Sequence, residues 1–157
     1  MSTDIKLEMV YPYPQERVWR AITDRGAMSE WLMENDFEPK VGHKFVFRAK
    51  PQPGWRGYVE CEVLECKPPS RLSYSWVGNE GQKATTVTWT LHQAPGGTRL
   101  VLAHTGFEGL GGFVLAKMML GPGWKKMMRT KIVNVLTRLS ATGLEAPPGG
   151  ALANDCH

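Results

Sequence analysis

Four histidines, three cysteines and one lysine beside an apolar helix face are the groups in this 157-residue chain whose chemistry deserves testing first. His43, His92, His104 and His157 show no metal spacing such as HExxH, which sets two imidazoles on one face of a helix. Cys61, Cys66 and Cys156 are odd in number, and zinc sites take close cysteine pairs with a second pair elsewhere. They read as reduced cysteines used as small apolar residues, with Cys61 and Cys66 five apart on one strand and so on opposite faces. There is no GxSxG elbow and no phosphate loop. The cluster Gly109-Leu-Gly-Gly112 reads as a flexible connection, placed where it could gate a pocket. No catalytic residue, metal or cofactor is expected.

Two groups remain that could orient a ligand. His104 alternates with Leu100 and Leu102, which turns it toward the interior. A satisfied histidine at a sheet end is the plainer reading, because a catalytic base needs a matched pKa and a partner in reach. Lys131 lies about 60° from the centre of its helix's apolar stripe at 100° per residue. Its stem can lie along apolar surface with the ammonium in water; the sharper alternative is a cation at a cavity rim.

The elements that must carry these groups follow from periodicity. Ile5, Leu7, Met9 and Tyr11 alternate against Lys6 and Glu8, a strand pattern. Pro14 opens a helix with Val18, Trp19 and Ile22 on its apolar face, and Thr23-Asp24 can cap a second short helix ending at Trp31. A run of strands follows. Phe45 and Phe47 share one face, then Val59, Cys61 and Val63. After Pro68-Pro69 come Leu72, Tyr74 and Trp76, with Ser73 and Ser75 expected outside. Val87, Trp89 and Leu91 precede the turn Pro95-Gly96-Gly97, and Leu100, Leu102 and His104 complete the series. Hairpin spacing of this kind predicts an antiparallel meander. The period then changes: Trp124, Met127, Met128, Ile132, Val135, Leu136 and Leu139 recur at helical spacing, with Gly143 as a stop. FVLAKMML before it reads as a further helical piece. Residues 1–144 make one domain, and 145–157 read as a disordered tail.

Composition bounds the rest. Hydrophobic residues are 42% and charged residues 22%, ordinary for a globular domain. No apolar run reaches the roughly 18 residues of a membrane span, and MSTDIKLE lacks a signal peptide's apolar segment, so a cytoplasmic location is expected. The net charge is +4, and no acidic residue lies between Glu108 and Glu145, where Lys117, Lys125, Lys126, Arg129, Lys131 and Arg138 fall. No nucleic-acid motif accompanies that run; it reads mainly as a solvated helix face.

The order of elements resembles the helix-grip fold of the START-like, or SRPBCC, superfamily. Within it the chain is most similar to the branch named for activators of the ninety-kilodalton heat-shock protein ATPase. The likeness is carried by RVWRAIT with Trp19, Trp31, VGHKF at 41–45, Gly57, KPPSRLSYSW and VTWTL at 87–91. It continues through GGTRLVLAHTGF at 96–107 to Gly123-Trp124. It implies an α+β domain in which a curved antiparallel sheet wraps a long C-terminal helix, with a cavity between them. Phe45, Phe47, Tyr74, Trp76, Trp89, His104, Trp124, Met127, Met128 and Lys131 are the expected lining. The expected function is binding of a small hydrophobic or amphipathic molecule there. The alternatives are a co-chaperone-like interaction through the basic C-terminal helix, and a cyclase or hydrolase using His104 and Tyr74. A homodimer is a further partner expectation.

Overall fold

A computed structural model describes residues 4–142, with side chains through Leu139. Strand β1 (Ile5–Tyr11) is followed by helices α1 (Gln15–Thr23) and α2 (Arg25–Trp31). Pro14 stands immediately before α1, and the Asp24 carboxylate accepts the Ala27 N–H at 2.9 Å, capping α2. Six strands then run as β2 (Glu34–Asn35), β3 (Lys44–Arg48), β4 (Tyr58–Lys67), β5 (Arg71–Trp76), β6 (Thr85–Ala94) and β7 (Gly97–Thr105). All pair antiparallel in one curled sheet of order β1-β7-β6-β5-β4-β3-β2. The two-residue β2 is too short to leave a period in the sequence.

The chain from 109 to 142 is one uninterrupted helix, with α-helical pieces α3 (Gly109–Val114), α4 (Gly121–Lys126) and α5 (Ile132–Thr142). Between them, Leu115–Leu120 and Met127–Lys131 are wound as π-helix, with i→i+5 hydrogen bonds. FVLAKMML therefore belongs to the long helix rather than to a separate one. Trp124, Met128, Ile132, Val135, Leu136 and Leu139 bury themselves on the concave face of the sheet, and α5 also meets α1 and α2. This is the helix-grip arrangement. Gly143 and the tail at 145–157 lie outside the described residues.

Two local expectations need correction. The β4–β5 register shifts between Val63 and Glu65, a bulge that reverses the in–out phase of the strand. Cys61 and Cys66 are consequently both buried, not opposed; Cys61 is a free thiol and Cys66 is disulfide-bonded, not reduced. Ser73, expected outside, is also buried: its hydroxyl meets Thr88 Oγ1 at 3.2 Å. Ser75 Oγ accepts the Glu62 N–H at 2.9 Å, beside the bulge. Small hydroxyls fit here because they can satisfy neighbouring polar groups on a crowded outer surface.

Candidate functional site: a cavity at the open end of the sheet

The aromatic residues of β3, β5 and β6 do not surround empty space; most pack on one another. Phe45 lies 5.3 Å from Phe47 and 5.5 Å from Tyr74, and Phe47 lies 5.8 Å from Trp76. Trp76 meets Trp124 at 5.3 Å, and Trp124 meets Trp89 at 5.6 Å. Most of these contacts are edge-on or tilted, the geometry that ring quadrupoles favour. The polar tips of Tyr74, Trp89 and Trp124 in this wall are hydrogen-bonded. The Trp89 indole N–H donates to Tyr74 Oη at 3.0 Å, and the Trp124 N–H donates to His104 Nδ1 at 3.0 Å.

That second bond defines the histidine. An indole N–H can only donate, so Nδ1 accepts and the imidazole proton sits on Nε2. Nε2–H then donates to Thr85 Oγ1 at 2.7 Å, and the Thr85 hydroxyl donates to the Trp76 carbonyl at 3.2 Å. His104 is completely buried, and desolvation lowers its pKa from 6.5 to about 3. It is a neutral group with both nitrogens engaged, partnered by side chains rather than by backbone. Burial likewise pushes the Tyr74 hydroxyl well above its ordinary range.

Beyond this wall lies a cavity of about 700 Å³. Met33, Val59, Trp76, Thr85 and Phe107 contribute to it from the sheet side. The long helix lines it with Gly111, Gly112, Val114, Leu115, Met119, Leu120, Gly123 and Met127. Two loops close one end and are tied together. Trp55 Nε1 donates to the Gly78 carbonyl at 2.9 Å, Asn79 Nδ2 to Gly54 at 3.0 Å, and the Arg56 N–H to Asn79 Oδ1 at 3.2 Å. Gly57 makes this possible: at φ 92°, a Cβ there would sit 3.0 Å from the Ala49 carbonyl. Asn79, Gln82, Lys83 and Glu108 give the cavity its polar groups, and Lys83 and Glu108 form an ion pair.

Of the residues picked out from the sequence, Trp76 and Met127 line this cavity. Phe45, Phe47, Tyr74, Trp89, His104 and Trp124 stand behind it in the aromatic wall, Met128 is buried by β1, and Lys131 is exposed to solvent. Sequence reasoning passed over Trp55, Phe107, Met33, Met119 and the polar groups. Trp55 sits in a Pro/Gly loop with no period to mark it. The glycines at 111 and 112 were visible as a cluster, and they do adjoin the cavity. Among the described residues no cluster of histidine, cysteine or carboxylate side chains could hold a metal, and no helix is long and apolar enough to cross a membrane.

The family described as activator of Hsp90 ATPase homolog 1-like protein matches residues 12–137. The chain belongs to that family. Its fold recurs in protein MLL2253 from Mesorhizobium loti, 33% identical, with TM-score 0.74 over 86% of this chain and 97% of that one. CalU16 from Micromonospora echinospora is 27% identical, with TM-score 0.66 over 88% and 82%. The Aha1 dimer from Colwellia psychrerythraea is 16% identical, with TM-score 0.67 over 80% and 90%, a likeness of fold alone. No curated protein matches the chain by sequence. Membership of this Aha1-like branch places the chain in the SRPBCC superfamily.

Proposed function

We propose that this Aha1-like protein binds a small hydrophobic or amphipathic molecule in the cavity between sheet and C-terminal helix. The observation that carries this reading is the cavity itself: about 700 Å³, lined mostly by apolar side chains with a few polar groups among them. Binding pockets typically span ~300–1,000 Å³ and combine apolar walls with a few polar groups that set orientation. Asn79, Gln82 and the Lys83–Glu108 pair would take the ligand's polar end, while Trp76, Phe107 and Met127 cover its apolar body. Methionines at 33, 119 and 127 can repack around ligands of different shape.

Native mass spectrometry of freshly purified protein, followed by denaturation, tests this directly. A discrete released mass supports the proposal. Repeatedly empty protein, with no thermal stabilisation by a panel of fatty acids and aromatic polyketides, removes it, since a ligand of the native state must stabilise that state.

The family's name favours a second reading, a protein-interaction role toward a heat-shock protein ATPase through the basic helix. A change in that ATPase rate, lost when Lys125, Lys126 and Arg129 are neutralised, would support it. The dimer of the Colwellia relative adds self-association, measured by sedimentation velocity. Catalysis by His104 and Tyr74 gains nothing from the geometry, because neither lines the cavity.

A further inference from the structure

The first half of the long helix exposes large apolar side chains, several of them outside the cavity lining. Leu110 is 80% exposed, Met118 72% and Phe113 38%, and none of the three lines the cavity. Between 109 and 120 only Ala116 is buried. Burying large apolar groups is the main favourable term in folding, so a ridge left this bare points to contact with something outside the chain. The same helix carries exposed Lys117, Lys125, Lys126, Arg129 and Lys131. Among the described residues no carboxylate forms an ion pair with any of them. No acidic residue occurs from 109 to 144.

We infer that this helix segment docks on the surface of an anionic lipid membrane. Projecting leucine, phenylalanine and methionine would enter the headgroup–acyl boundary, and the unpaired cations would meet lipid phosphates and carboxylates. Charge decides against a second copy as the occupant. Lys117 lies between Val114 and Met118, and a two-fold contact through this ridge would bring cation to cation with no acid on the helix to answer it. The exposed side chains also form a ridge, not the groove that receives a partner's helix or strand. The docking does not depend on the cavity being filled. If both hold, Val114 and Met119, which line the cavity and are themselves exposed, place its helical wall against the bilayer.

Co-sedimentation of the full chain with vesicles tests the inference. The arms are phosphatidylcholine alone and phosphatidylcholine with about 30% phosphatidylserine, each at roughly 0.05 and 0.5 M salt. The expected result is binding to the anionic vesicles alone, weakened by salt. Leu110→Asp with Met118→Asp should reduce the partition coefficient at least about tenfold, since each places a charge where an apolar group must insert. Lys125→Glu with Lys126→Glu should do the same at low salt. Because these positions are exposed, the variants' melting temperatures should match the parent, and the Leu110/Met118 variant should keep any ligand-induced shift in melting temperature. Equal binding to neutral and anionic vesicles, or binding to neither, overturns the inference. So does a dimer in vesicle-free solution that the Leu110/Met118 variant dissolves. An empty cavity with intact vesicle binding would count against the ligand proposal alone.

Discussion

His104 concentrates the residue-scale argument. Its inward direction follows from strand alternation, and that much was legible. The partners were not, because Thr85 and Trp124 lie 19 and 20 residues away in sequence and meet it only through the fold. The network carries a pH prediction. In the unfolded chain the imidazole titrates near 6.5, while the buried one titrates at about 3. Below pH 6.5 the unfolded state takes up a proton that the native state refuses, so the stabilisation is complete above 6.5 and drains away toward 3. By pH 5 the loss is on the order of 2 kcal/mol. Urea unfolding from pH 8 to pH 5 should show this slope in the parent and a flatter one in His104→Leu; parallel slopes would refute the assignment. Trp124→Phe should cost about 2 kcal/mol by the same assay, since it leaves Nδ1 buried without a donor.

At the scale of elements, one hydroxyl fastens the long helix to the first strand. Tyr11 Oη donates to the Met128 carbonyl at 2.6 Å, inside the second π-wound stretch, where the backbone departs from regular α-helical bonding. Tyr11→Phe should therefore lower stability by about 1–2 kcal/mol with little change in fold, measured by urea denaturation and circular dichroism. Gly97 guards the same corner. A Cβ there would fall 1.9 Å from the Tyr11 carbonyl, so Gly97→Ala should cost about 3 kcal/mol as β1 is forced off β7. An unchanged melting temperature would contradict that close approach.

These irregular elements are also where reading the sequence failed. The regular strands and the apolar stripe of the helix announced themselves through period. A bulge at Val63/Glu65 and two π-wound stretches add phase that no fixed period contains. Cys66 was turned to the wrong face for the first reason. Lys131 was placed near the apolar stripe because 100° per residue was carried through a stretch that winds more loosely. Gly121 shows why such winding was hard to foresee: its N–H bonds back to Ala116, and a Cβ would meet that carbonyl at 2.8 Å.

Across the whole molecule, stability and binding compete at the helix glycines. Gly123 lies in α4, lines the cavity, and has open space where a Cβ would project. Gly123→Ala should stabilise by about 1 kcal/mol through helix propensity alone. Gly123→Leu should keep part of that gain while occupying cavity volume, so its melting temperature should no longer respond to a ligand that shifts the parent. A retained response would mean that the ligand sits elsewhere.

The tryptophans extend this to light. Trp19, Trp31, Trp76, Trp89 and Trp124 are buried, whereas Trp55 is half-buried in the loop that closes the cavity. Five indoles thus emit from buried sites, Trp76 among them at the cavity wall, and the sixth emits from the doorway. The wall sets Trp89, Trp124 and Trp76 in successive contact, and Trp76 shares the cavity with Trp55. A guest entering that space changes the surroundings of the two indoles and leaves the other four alone. If the proposed guest binds there, the protein would be its own sensor, reporting occupancy as a shift in colour before any label is attached.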